Sequence, residues 1–124
     1  MKKNSADLIT LWLEKGKRDL AVAENEPYFD IVCFHSQQAA EKFLKAYLIF
    51  LGVDYPKTHD LGDLVLLLAE KDPEILKLKA AGDELTPFAV EARYPEFLEP
   101  APEDAQRAKE IAEKFKEYVL EKLK

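Results

Sequence analysis

Cysteine is nearly absent from this sequence: Cys33 stands alone among 124 residues. A lone thiol closes no internal disulfide and builds no four-cysteine zinc site, which fits a reducing, cytoplasmic setting. Histidine is almost as scarce. With only His35 and His59, a multi-histidine metal site is not expected and no metal is assigned. The four glycines form neither a G-x-G-x-x-G fingerprint nor a Walker loop, so those two routes to nucleotide recognition are closed. A zinc-binding His-Glu-x-x-His helix and a nucleophile elbow are missing as well. No motif asks for a cofactor, and no catalytic residue is assigned.

Long apolar runs are also lacking. The greasiest stretch, residues 43–53, carries Lys45 and is too short to cross a bilayer. The opening Met1-Lys2-Lys3-Asn4 leads not into a signal core but towards Glu14, Lys15, Lys17, Arg18 and Asp19. No membrane partner is expected. Basic charge is in deficit too: 18 Lys and Arg against 24 Asp and Glu give a net charge of −6. Binding of long polyanions relies on a basic face. That balance disfavours it and leaves room for one nucleotide or a short strand at a local basic spot.

What is present is helical spacing. Hydrophobic residues make up 48% of the chain, and they recur every three to four positions. The spacing predicts a first helix over 5–24, with Ile9, Trp12, Leu13, Gly16, Leu20 and Ala23 on one face and Ser5 as N-cap. A second covers 29–51, burying Val32, Ser36, Ala39, Ala40, Phe43, Tyr47, Phe50 and Leu51, and Gly52 is placed to end it. A short third covers 61–70, capped by Thr58 or Asp60. A fourth covers 73–92, in which Pro87 should bend or split the helix. A last helix covers 103–123, with Ala108, Ile111, Ala112, Phe115, Val119 and Leu123 inward. No alternation of strand period occurs. The expected fold is all-α: one domain, 1–124, an antiparallel up-and-down four-helix bundle with one additional short helix.

Chemistry, if any, concentrates in three polar clusters. In His35-Ser36-Gln37-Gln38, the residues His35, Gln38, Lys42 and Lys45 share a flank of helix two at spacings of three and four. They would offer donors to a phosphate or base edge, or simply form a solvated face. In Lys57-Thr58-His59-Asp60, ahead of helix three, Lys57 and His59 would add donors to a helix start that already favours anions, or merely flank a cap. In Arg93-Tyr94-Pro95, arginine suits a phosphate and tyrosine suits stacking on a base, while the same residues suit an ordinary helix end. Cys33 reads as a small core-edge residue. Simple bundle topology does not bring the three clusters together.

Taken as a set, Phe34-His35-Ser36-Gln37-Gln38-Ala39-Ala40-Glu41-Lys42, Lys57-Thr58-His59-Asp60-Leu61 and Ala92-Arg93-Tyr94-Pro95 resemble the HEPN domain family. Trp12-Leu13 and Arg18-Asp19-Leu20 fit the same resemblance. It implies a helical bundle that forms a homodimer and binds nucleotides or RNA. Many relatives pair with a minimal nucleotidyltransferase, some as toxin–antitoxin couples. Others are metal-independent ribonucleases, in which four to six residues separate an arginine from a histidine. Here the positions after Arg93 hold Leu98, Glu99 and Pro100, and neither Arg18 nor Arg107 is followed by such a histidine. RNA cleavage without a metal needs a group that moves protons near neutral pH. The expectation is therefore a non-catalytic module binding a nucleotide or short RNA, or partnering a nucleotidyltransferase, through His35, Lys57, His59, Arg93 and Tyr94. A divergent ribonuclease is the alternative. Leu8, Leu11, Ile31 and Ile49, off the main stripes, would supply a dimer seam.

Overall fold

The computed structural model describes residues 4–124 and is helical, with no strand among those residues. Met1, Lys2 and Lys3, which open the segment read above for a signal core, lie outside the described residues. Helix α1 spans Ser5–Asn25 and α2 Phe29–Phe50. The short α3 is Leu61–Ala69. A 3-10 turn, Pro73–Leu78, leads into α4, Lys79–Leu85, and a single-turn α5 follows at Phe88–Glu91. The last helix, α6, is Pro102–Lys122.

The N-cap of α1 is Asn4, not Ser5: the Asn4 side chain accepts from the Asp7 amide at 2.8 Å. Asp60 caps α3 by accepting from Asp63 N at 3.0 Å, and Thr58 supports it through a bond from Asp60 N. Gly52 ends α2 with φ +74°, a left-handed conformation that costs glycine little. The predicted fourth helix is broken at Thr86-Pro87, since proline offers no amide to continue the ladder. At this break the Thr86 hydroxyl donates to Gly82 O at 2.8 Å and accepts from Leu61 N at 2.9 Å, so it also caps the start of α3.

Helix α2 is central, flanked by α1 and α6, while α3 packs against the 73–85 segment. The core joins Leu20, Ala23, Phe43, Leu44, Leu48, Leu61, Leu64, Leu68, Leu85, Ile111, Phe115 and Val119. At Gly16 the ring of Phe43 lies 3.0 Å from where a Cβ would stand. The glycine therefore sets how closely α1 approaches α2. Two members of the predicted stripes behave differently. Phe50 is 48% exposed, because it falls on the last turn beyond the reach of a neighbouring helix. Trp12 lies outside the core cluster, edge-on to Tyr55 with ring centroids 5.8 Å apart. Leu8, Leu11, Ile31 and Ile49 are each half-buried.

Candidate functional site

The most deeply buried helix, α2, is also the one with the most buried polar chemistry. Gln37, Glu41 and Lys45 are buried along it, together with Asp19 from α1. Residues three and four apart share a helix face. Phe34, Gln38, Glu41 and Lys45 thus form one strip, with His35 and Lys42 on one flank and Gln37 on the other. Burial of charge is tolerated only where partners satisfy it, and no buried side-chain nitrogen or oxygen among the described residues lacks a partner.

On the α1 side, Asp19 is that partner. His35 Nδ1 lies 2.9 Å from Asp19 Oδ1, and Lys42 Nζ donates to Asp19 Oδ2. An ionised carboxylate only accepts, so the proton of His35 sits on Nδ1. Its Nε2 makes no hydrogen bond among the described residues.

On the other side the chain builds a matching arrangement from different elements. After Gly52 the connection to α3 turns back and runs as a strap along α2. Gln37 Nε2 donates to His59 O at 2.9 Å, and His59 Nδ1 meets Glu41 Oε1 at 2.7 Å. Glu41 Oε2 accepts from Lys45 Nζ at 2.8 Å. The His59 side chain is 60% exposed, while its carboxylate partner is 5% exposed. Each histidine is thus held through Nδ1 by a buried carboxylate that also holds a lysine, with Nε2 left over.

The strap corrects the expectation that topology keeps the clusters apart. His59, two residues before α3, is brought to the middle of α2, and the start of α3 with it. Arg93 reaches the same helix from beyond α5, its guanidinium 5.0 Å from the centroid of Phe34. That ring in turn stands edge-on to His35 at 5.3 Å. His35, His59 and Arg93 therefore converge on one strip. Lys57 is exposed on the strap at a tight turn in which Thr58 N donates to Pro56 O at 3.0 Å. Among the described residues neither Lys57 nor Arg93 forms an ion pair. Lys45, read from the sequence as part of the exposed flank with His35, is instead buried and faces Glu41, because the strap covers it.

Tyr94, next to Arg93 in the chain, is half-exposed. It lines a cleft of about 380 Å³ with Asp30, Glu91, Arg93, Leu98 and Glu99. Arg93 is the only cation in that lining, set among three carboxylates. Cys33 is fully buried, and burial, reinforced by Asp104, Asp30 and Glu99, pushes its thiol up to about 12. It is a packing residue, since the thiolate is the reactive form. Among the described residues no cluster of His, Cys, Asp and Glu is arranged to hold a metal ion, and no helix is long and apolar enough to cross a membrane.

Sequence reasoning passed over Asp19, Glu41 and Phe34 as working parts. The available signal was Glu41 and Lys45 at helical spacing within the predicted central helix, since charged residues are buried almost only when paired.

The family described as HEPN domain matches residues 9–123. No curated protein matches the sequence. Two crystal structures share the fold. One is TT1696 from Thermus thermophilus, 29% identical, with a TM-score of 0.79 over 92% of this chain and 97% of that one. The other is ST0689, described as an archaeal HEPN homologue, 26% identical, with a TM-score of 0.75 over the whole of both chains.

Proposed function

The chain belongs to the HEPN domain family, and from that premise we propose that it is a binding module for a nucleotide or a short RNA, seated on the polar strip of α2. The carrying observation is the pair of carboxylate-held histidines flanked by two cations without ion-pair partners among the described residues. In a chain of net charge −6, such a spot attracts a small anion without inviting long polyanions. Lys57 and Arg93 contact phosphate, with Arg93 able to do so through two parallel bonds. His35 and His59 present Nε2 to the ligand, and Tyr94 offers a ring at the edge beyond Arg93.

Ligand binding raises the melting temperature with the logarithm of ligand concentration above Kd, with stabilisation of about 2.7 kcal/mol at a hundredfold excess over Kd. Millimolar ATP, GTP or short oligoadenylate should raise it, and Lys57→Ala with Arg93→Ala should abolish the rise. An unchanged melting temperature with all three ligands overturns the proposal.

A second reading, metal-independent RNA cleavage, draws support from the same histidines. A ring fixed through Nδ1 by a carboxylate is what a general base requires, and Arg93 would stabilise charge on the phosphorane. The missing histidine after Arg93 weighs against it. RNA cleavage in EDTA that falls in each of His35→Ala, His59→Ala and Arg93→Ala would establish it. Equal residual cleavage in all three would mark a contaminant.

The proposed partners are a second copy of the chain and a minimal nucleotidyltransferase. Exposed Val90, Phe97 and Leu98, the last 96% exposed, give a protein partner apolar surface to cover. Light scattering reports the first and co-purification the second.

A further inference from the structure

The single tryptophan of the chain is not part of its core. Trp12 sits on the face of α1 that the helical spacing directs inward, yet its ring meets Tyr55 of the strap, and neither residue belongs to the core cluster. Tyr55 is 37% exposed. Between the two rings and α2 lies the ammonium of Lys45, 5.5 Å from the Trp12 centroid and 5.7 Å from that of Tyr55. That ammonium is the one bonded to Glu41, whose other oxygen meets His59. A continuous chain of contacts thus links the aromatic pair to the histidine, and no link in it exceeds 5.7 Å.

The strap has anchors besides this pair. Gln37 and Glu41 already hold its far end at His59, and Val53 N donates to Leu48 O at 2.9 Å at its near end. What the pair adds is a braced aromatic ring, Tyr55 held edge-on to Trp12. A buried cation near two ring faces fixes their orientation, and a surface already ordered loses less on binding than one that must be ordered. Exposed aromatic rings beside phosphate-binding donors are how proteins take nucleobases without reading their edges.

We propose that Tyr55, braced edge-on by Trp12, is the base-stacking face of a nucleotide subsite whose phosphate is held by Lys57. This inference rests on the nucleotide-binding reading and goes further by assigning the base to the Tyr55 end of α2 and making the contact indifferent to base identity.

Trp12 supplies the readout, because all indole fluorescence of the chain comes from it. AMP should change that emission on titration, and ribose 5-phosphate, which has no base, should bind more weakly by calorimetry. Tyr55→Ala should weaken AMP about tenfold, the scale of one lost stacking contact, and leave ribose 5-phosphate where it was. Tyr55→Phe should bind AMP as the parent does, and an unchanged melting temperature for both variants excludes a folding effect. Equal affinity for AMP and ribose 5-phosphate, untouched by Tyr55→Ala, overturns the subsite and leaves phosphate binding standing. Loss of both ligands in Tyr55→Ala also overturns it, since the residue would then act through the strap. Binding of neither ligand to the parent protein defeats both readings.

Discussion

Two systems of buried carboxylates lie along α2, and they differ in what their donors leave free. Beside the C-terminal part of the helix, Asp72 Oδ2 accepts from Tyr47 at 2.8 Å and from Tyr118 at 2.6 Å, with Lys122 3.9 Å from its other oxygen. Farther back, Asp19 and Glu41 accept from a histidine and a lysine each. Depth does not separate the two systems: the side chains of Asp72 and Asp19 are each 12% exposed and that of Glu41 is 5% exposed. The donors do. A phenol has one proton to donate, and once it is given to Asp72 no donor remains, so that knot ties α2, α6 and the start of the 3-10 turn together and stops. An imidazole has a second nitrogen, so the Asp19 and Glu41 systems hold structure together and still present chemistry outward.

The largest effect that would test this comparison comes from Glu41→Ala. It leaves the buried Lys45 without its carboxylate, and stranding one member of a buried pair costs about 3 to 5 kcal/mol. The double variant Glu41→Ala with Lys45→Met should recover most of that stability in urea denaturation without restoring any ligand response. A loss no larger than that of a surface change would mean the open system bears no structural weight.

Next comes Asp72→Asn, expected to cost about 2 kcal/mol, because two hydrogen bonds to a charged acceptor become bonds to a neutral one, with nucleotide binding intact. The knot also has a pH signature. Burial pushes the Asp72 carboxyl up, but the two phenols, Lys122 and a backbone bond at Glu74 outweigh it and hold the group below its ordinary value. With the folded pKa depressed, its contribution to stability is present above the unfolded value of about 3.9. It is lost as pH falls from there through the folded value. The Tyr47 and Tyr118 hydroxyls are raised, by burial first and then by Asp72. Their contribution is present below about pH 10 and is lost as pH rises above it towards the folded values. Both slopes in stability against pH should flatten in Asp72→Asn.

The smallest change in stability belongs to His59→Gln. The side chain is 60% exposed and glutamine keeps a donor for Glu41, so stability should fall by no more than about 1 kcal/mol. Nucleotide affinity should fall about tenfold, the loss of one charge-assisted contact. A variant that unfolds readily but binds normally would place His59 with the tyrosines and erase the distinction.

Much of the scaffold was legible in advance. Periodicity located α1, α2, α3 and α6 to within a residue or two, Asp60 was a recognisable cap, and Pro87 marked the break after Thr86. These features depend on neighbours within a turn or so, and local sequence contains that information. The three clusters that resemble the HEPN family were also visible as residues, but not as an arrangement. The strip could not be read because its contacts span 16 residues from Asp19 to His35, 18 from Glu41 to His59 and 23 from Asp19 to Lys42.

By itself, then, the sequence determined the helices, their inward faces and the polar residues available, since spacing and capping act over a few positions. Only the tertiary structure decided that the strap turns back at Gly52, that Lys45 is covered, and that His35, His59 and Arg93 meet on α2. The physical reason is that a buried charge must find its partner wherever the packed helices place one, and that place is a property of the assembled bundle.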